Sequence, residues 1–260
     1  MRFSRSRRSP LLVPSLLACL IAASLPLPAL AADEAAADSH WGLGLGVSVS
    51  QRPYRDAENK TRALPLLMYE NRWVRIGGPG IDLKLPSAGP VSFALRARFA
   101  FDGYEQDDAP ILNGMAERKD SIWLGGAAMW RNGIADLSAE WLGDASSHSK
   151  GQQFKLQLDR SFRTGAFEFT PRVAATWLDR KYVNYYYGVT TPEVTAGRPF
   201  YEGTATVNAE IGLRTVYALA PRHALSLDIG TTRLGAGIKD SPLVERRNVS
   251  RALFGYVYRF

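Results

Sequence analysis

The chain has 260 residues, with 32 basic and 25 acidic side chains and a formal charge of +7. The excess is concentrated at the start: residues 1–31 contain four arginines and no acid, so the remainder carries 28 basic against 25 acidic residues, a net charge of +3. That near-balance excludes the usual basis for nucleic-acid binding. The single cysteine, Cys19, lies in the same leading segment, so no disulfide can hold the rest together.

The leading segment has the three parts of a secretory signal. Arg2, Arg5, Arg7 and Arg8 form a basic head, Leu11 to Ile21 an apolar core, and Ala29-Leu30-Ala31 a small-residue site. The pattern predicts cleavage between Ala31 and Ala32. Pro14, Pro26 and Pro28 interrupt the apolar stretch, which argues against a retained helix. Cys19 reads as a small apolar residue of the core rather than a lipidation site, because an apolar run follows it. Residues 32–40 would then be a short periplasmic lead-in to a domain covering 41–260.

From Trp41 onward no apolar run reaches the roughly 18 residues of a membrane helix. No stretch reads with helical period. Period-two alternation recurs instead, the mark of strands with two unlike faces. "VSFALRARFAF" sets Val91, Phe93, Leu95, Phe99 and Phe101 against Ser92, Arg96 and Arg98. "FKLQLDRSFR" sets Phe154, Leu156 and Leu158 against Lys155, Gln157 and Asp159. "TATVNAEIGLRTVYAL" and "ALSLDIGTT" repeat the pattern, with Glu210, Arg214 and Asp228 on the polar side. Strands are expected to begin near Trp41, Leu64, Val91, Ser121, Ile134, Gly151, Ala166, Thr204, Ala224 and Val249. Short turns at 131–133, 164–165 and 220–223 alternate with longer links at 102–120, 143–150, 182–203 and 235–248. Short connections at one end and long ones at the other are the layout of an outer-membrane barrel. In lipid, a closed sheet satisfies every backbone polar group without an edge. The fold expected is an all-β transmembrane antiparallel up-and-down β-barrel of about twelve strands. It takes "WVRIGGPGIDLKL" as a hairpin turning at Gly77–Gly80, with ten strands as the alternative. Pro65 and Pro171 fall inside proposed strands, and each predicts a bulge or a rim position there.

"RALPLLMYENRW", "YVNYYYGVTTPEVTAGRPFYEG", "KDSPLV" and the terminal "GYVYRF" resemble the MipA/OmpV family of Gram-negative outer membranes. The resemblance spans the chain after the signal and is most specific from Tyr182 to Phe260. It implies an outer-membrane location in contact with lipid, and a scaffold joining a lytic transglycosylase to a peptidoglycan synthase. Other members are linked to adhesion, osmotic stress or antibiotic response. It implies that Tyr258 and Phe260 are read by the barrel-assembly machinery, and it supplies no catalytic residue. One departure is visible: "RPYRDAENK" lacks the glycine common in the family's first loop.

Little else carries chemistry. "GLGLG" (42–46) has Val47 where the third glycine of a dinucleotide loop belongs, so its glycines read as the inner face of the first strand. His40 and His223 fall at the periplasmic rim and His148 in an outer loop, too far apart for one site. "DASSHSK" reads as a solvated, flexible loop, and neither zinc nor calcium spacing appears. No cofactor is expected. The aromatic loop at Tyr182, Tyr185, Tyr186, Tyr187, Phe200 and Tyr201 has two readings: an interfacial girdle, or a candidate interaction surface. The inward charges Arg96, Arg98, Lys155, Asp159, Glu168, Arg172, Glu210, Arg214 and Asp228 mix both signs. Dehydrated charges are costly unless paired, so the expectation is a paired network that largely blocks the lumen. Three function classes are weighed: a scaffold working through rim and loops, which leads through the family resemblance, a pore working through the lumen, and an enzyme, for which no converging polar groups are found; a surface adhesin acting through extracellular loops is a further alternative.

Overall fold

The computed structural model describes residues 39–260. The expected signal sequence, the expected cleavage between Ala31 and Ala32 and most of the expected lead-in lie outside the described residues. The strands are β1 (His40–Ser50), β2 (Lys60–Glu70), β3 (Val74–Gly77), β4 (Gly80–Ala88), β5 (Val91–Ala100), β6 (Ser121–Arg131) and β7 (Asp136–Asp144), followed by β8 (Gln152–Asp159), β9 (Phe162–Thr164), β10 (Phe167–Leu178), β11 (Thr206–Ala220), β12 (His223–Arg233) and β13 (Asn248–Arg259). Every pairing is antiparallel between neighbours, and β13 returns to β1, which closes the sheet. β8 and β9 both pair with β10 and form one interrupted span, so the barrel has twelve strands, as the hairpin reading of residues 77–80 required. Among the described residues, no helix is long and apolar enough to cross a membrane.

The alternation sorts as lipid demands. Leu43, Leu45, Leu95, Trp141, Val173, Ile211 and Phe254 are all about half exposed or more and point outward. On β13 Phe254 and Tyr256 are exposed, as is Phe260 just beyond it, while Gly255 and Val257 turn inward and are buried. The closing seam is tight: a Cβ on Gly44 would sit 1.9 Å from the Tyr256 carbonyl oxygen, so only glycine fits there.

Both prolines sit where the ladder lacks a partner. Phe260 N–H donates to Trp41 O and Gln51 N–H to Ser250 O, so odd residues of β1 face β13 and even ones face β2. Pro65 lies opposite Leu45, so its nitrogen points away from β1, toward β3. β3 is short and meets β2 only from Met68 to Glu70, so at Pro65 there is no ladder donor to lose. The expected bulge or rim position is therefore absent at Pro65. At Pro171 the disruption is present: the nitrogen faces the Arg160–Ser161 break between β8 and β9.

Two short helices, α1 (Arg180–Tyr187) and α2 (Ala236–Lys239), occupy the long links. The sequence reading expected no helix. Asp179 caps α1 by accepting from the Tyr182 N–H at 2.8 Å. The i, i+1, i+4 spacing of Tyr182, Val183 and Tyr186 buries one face.

Candidate functional site: a capped, charge-lined lumen

At the long-loop end, segments 51–59, 101–120, 179–205 and 234–247 fold into one body over the mouth. Its core holds Leu112, Val183, Tyr186 and Leu243, each fully buried, with Tyr54, Tyr104, Val189 and Ile238 around them. Backbone bonds cross between loops: Arg55 N–H donates to Leu243 O and Glu245 N–H to Pro53 O. The Tyr54 hydroxyl donates to Tyr186 O, the Ser241 hydroxyl to Tyr187 O and the Tyr201 hydroxyl to Gly237 O.

The tyrosines singled out from the sequence therefore build the cap. Tyr182 and Tyr186 are buried, and Tyr185 and Tyr187 pack against the same core. Tyr185 lies under the Arg118 guanidinium, 5.6 Å from ring centroid to Cζ. Phe200, by contrast, is 59% exposed. The girdle reading is thus corrected for residues 182–187: α1 turns them inward, because a helix seated across the mouth offers a dry interior for their rings.

The polar hub of the cap is Glu193, 6% exposed. Its carboxylate accepts from Arg118 Nη2 (2.8 Å), the Ala116 N–H (3.1 Å), the Thr190 N–H (3.0 Å) and the Thr190 hydroxyl (2.8 Å). Burial works against its charge, but the Thr190 backbone and hydroxyl, Arg118 and Ala116 outweigh it and bring the carboxyl down to about 2. Arg198, 3% exposed, ties the same region to Ile111 O, Asn113 O and Glu193 O. Arg52 pairs with Asp108 at 2.7 Å beside them. Arg118, Glu193 and Arg198 were missed in the sequence, because they lie up to 80 positions apart and only the folded loops bring them together.

The "DASSHSK" loop is more ordered than the solvated, flexible loop expected. The Asp144 carboxylate accepts from the N–H groups of Ser146, Ser149 and Lys150 and from the Ser149 hydroxyl. His148 Nδ1 lies 2.9 Å from Asp120 O and 3.4 Å from Ser121 Oγ. A nitrogen that donates to a carbonyl cannot also take a proton from that serine, so the pair has no hydrolase geometry.

In the lumen the charges pair along the wall, not across the bore. Arg96 grips Asp82 through Nε and Nη2 (2.7 and 2.8 Å) and reaches Glu140 at 2.5 Å, where Arg98 also binds at 2.8 Å. Arg172 makes a two-pronged pair with Asp228 (2.8 and 3.1 Å) and reaches Glu210 at 3.0 Å. Arg214 joins Asp228 at 3.0 Å, and Lys155 and Arg251 approach Glu210 at 3.5 and 3.2 Å. Several bridges that skip a strand have a small residue at their level: Gly125 lies opposite Arg96, Gly230 opposite Arg251, Gly212 under Arg172, where a Cβ would come within 2.5 Å of the guanidinium carbon, and Ala174 opposite Glu210. Among the described residues Asp159 accepts only from Gln157, at 2.9 Å, and Glu168 pairs at the exposed rim with Arg163 at 2.7 Å. Neither of these two belongs to the inner network. The expectation of a lumen blocked by side chains is corrected accordingly: long chains lie flat over glycine and alanine, and the cap is what covers the mouth.

A closed twelve-stranded sheet with an apolar exterior, a charged interior and long loops at one end is an outer-membrane β-barrel. The match to known families is specific. This chain belongs to the family described as MltA-interacting protein MipA, which it matches over residues 43–260. It is 24% identical over 247 residues to the putative outer membrane protein YiaT of Escherichia coli K12, covering 92% of this chain and 98% of that one. It is 24% identical over 238 residues to the MltA-interacting protein of the same organism, covering 90% and 96%. A solved structure, the COG4313 outer membrane channel of Pseudomonas putida F1, aligns with TM-score 0.42 and 10% identity over 86% of this chain and 96% of that one.

Proposed function

We propose that this barrel is an outer-membrane scaffold whose working face is periplasmic, and that it brings a lytic transglycosylase together with a peptidoglycan synthase. The observation that carries the reading is the cap. Four loops buried against one another cover the outer mouth, which leaves the short-turn end as the accessible approach to the lumen. The name of the MltA-interacting relative supports the transglycosylase half of the reading. The apolar exterior meets outer-membrane lipid, and the strand ending in Tyr258 and Phe260 is the one the barrel-assembly machinery would read. Tyr258 stacks edge-on against Phe260, with centroids 5.1 Å apart, at the seam where the sheet closes. The test is affinity capture from cells treated with a periplasmic cross-linker, against a control barrel of similar size. Enrichment of both classes of cell-wall enzyme is expected. Recovery of neither, at normal barrel abundance, would remove the scaffold reading.

A further inference from the structure

The lumen holds a cavity of about 660 Å³ on the side of β2 to β8. Its rim residues Arg72, Ser87 and Arg131 adjoin the short turns, so it opens toward the periplasm. Seven of its lining side chains are cationic and three are carboxylates. Each carboxylate is already engaged. Glu70 holds both Arg75 (2.8 Å) and Lys84 (2.6 Å), Glu140 holds both Arg96 and Arg98, and Asp82 shares Arg96 with Glu140. At the rim, Arg72 lies over the Trp73 ring at 4.5 Å and has no acid partner among the described residues. Arg131 has only Asp136, outside the cavity, at 3.8 Å.

The lining therefore carries an excess of four positive charges, which Glu210 beside Lys155 (3.5 Å) and Asp136 beside Arg131 (3.8 Å) reduce to two, in a walled space that is open to water at its rim. Such a space focuses field and favours an anion that can replace lost hydration. The cations are also spread in depth. Arg98 lies opposite Trp123, and Arg131 stands eight positions further along β6, roughly 26 Å of extended strand. A compact anion would satisfy one end only. An extended chain carrying several carboxylates would satisfy rim and interior together.

We propose that this vestibule is a binding site for an acidic peptide that enters from the periplasm. The proposal rests on the periplasmic scaffold reading and names the chemistry of what that face would hold. The source is either an acidic segment of a partner protein or the carboxylate-bearing peptide of cell-wall material, and both share the ligand chemistry. Arginine suits the task because its planar fork takes carboxylates two oxygens at a time.

The experiment uses the purified barrel in nanodiscs and titrates hexaglutamate, citrate and a soluble cell-wall stem peptide by calorimetry. Hexaglutamate is expected to bind at least tenfold more tightly than citrate, with affinity falling steeply as salt rises. The double variant Arg72→Gln/Arg131→Gln should weaken hexaglutamate at least tenfold, while Arg163→Gln, at the rim outside the cavity, should not change it. Heat-modifiable gel migration checks that each variant is folded. Stem peptide binding as tightly as hexaglutamate would assign the site to cell-wall peptide, and weaker binding would assign it to a protein segment. Absence of hexaglutamate binding at millimolar concentration, or equal weakening by Arg163→Gln, overturns the proposal. Because no partner enzyme is present, this result is independent of the capture experiment.

Discussion

Glu193→Ala is expected to loosen the cap and leave the barrel wall intact. The substitution removes the acceptor of four hydrogen bonds and strands the Arg118 guanidinium, whose side chain is only 9% exposed. Breaking a buried ion pair costs about 3–5 kcal/mol. Arg118 retains the carbonyls of Ala116 (2.8 Å) and Tyr185 (2.6 Å), which places the loss at the low end. Protonation gives an independent figure. The carboxyl moves from an ordinary 4.5 to about 2, which corresponds to roughly 3 kcal/mol at 1.36 kcal/mol per unit. The sign follows from the depressed value. The contribution is complete above about pH 4.5 and is lost as pH falls through about 2. Amide hydrogen exchange reads both effects directly, since the Ala116 and Thr190 N–H groups donate to this carboxylate. A loss of about 3 kcal/mol should speed their exchange roughly a hundredfold in the variant, with no change at ladder amides of β1 and β2. Acidification of the native protein from pH 5 to 2, corrected for intrinsic exchange, should reproduce much of the change. Protection within threefold of the native value, or equal loss in the wall, would refute the assignment of Glu193 as the cap's hub.

Four other outcomes are expected. Asp228→Ala leaves Arg172, 8% exposed, without its two-pronged partner and should lower unfolding stability in lipid by about 3 kcal/mol; a change under about 1 kcal/mol would contradict the network's weight. Gly44→Ala places a methyl 1.9 Å from Tyr256 O and should raise the fraction of non-heat-modifiable protein on unboiled gels, whereas full recovery of the compact band would show that the seam can yield. Removal of Phe260, whose N–H donates to Trp41 O at 3.0 Å, should reduce the amount inserted more than the stability of what is inserted; normal insertion would count against a terminal address. In planar bilayers the native barrel should carry little steady current, and a large ion-selective conductance altered by Arg96→Gln would move a pore ahead of the scaffold.

The wall was legible in the sequence because each strand declares itself locally. Phe154, Leu156 and Leu158 against Lys155, Gln157 and Asp159 state both faces within six residues, and the register then follows from closure. Even the doubtful hairpin at Gly77–Gly80 was decided by a global rule, since a single strand there would have left an odd count. The cap was not legible, for two physical reasons. Its contacts are non-local: Arg52 meets Asp108, Arg118 meets Glu193, and Tyr54 reaches Tyr186. Its longer helix, α1, is also short and rich in tyrosine, which has a weak intrinsic helix preference, so only the Asp179 cap and the closing Gly188 hinted at it. The lumen stood between these cases. Alternation assigned the charges to the inner face, but whether they pair across or along it depends on the strands between. Gly212 beneath Arg172 and Ala174 opposite Glu210 decide that question. A small residue lets a guanidinium or ammonium chain lie flat and reach the second strand over, whereas a large one would have pushed the chain into the bore. The pattern to look for in such barrels is therefore a long cation on one strand, glycine or alanine at the same level on the next, and a carboxylate on the one beyond. Where that triplet recurs, the charges belong to the wall, and access to the lumen is governed by the loops.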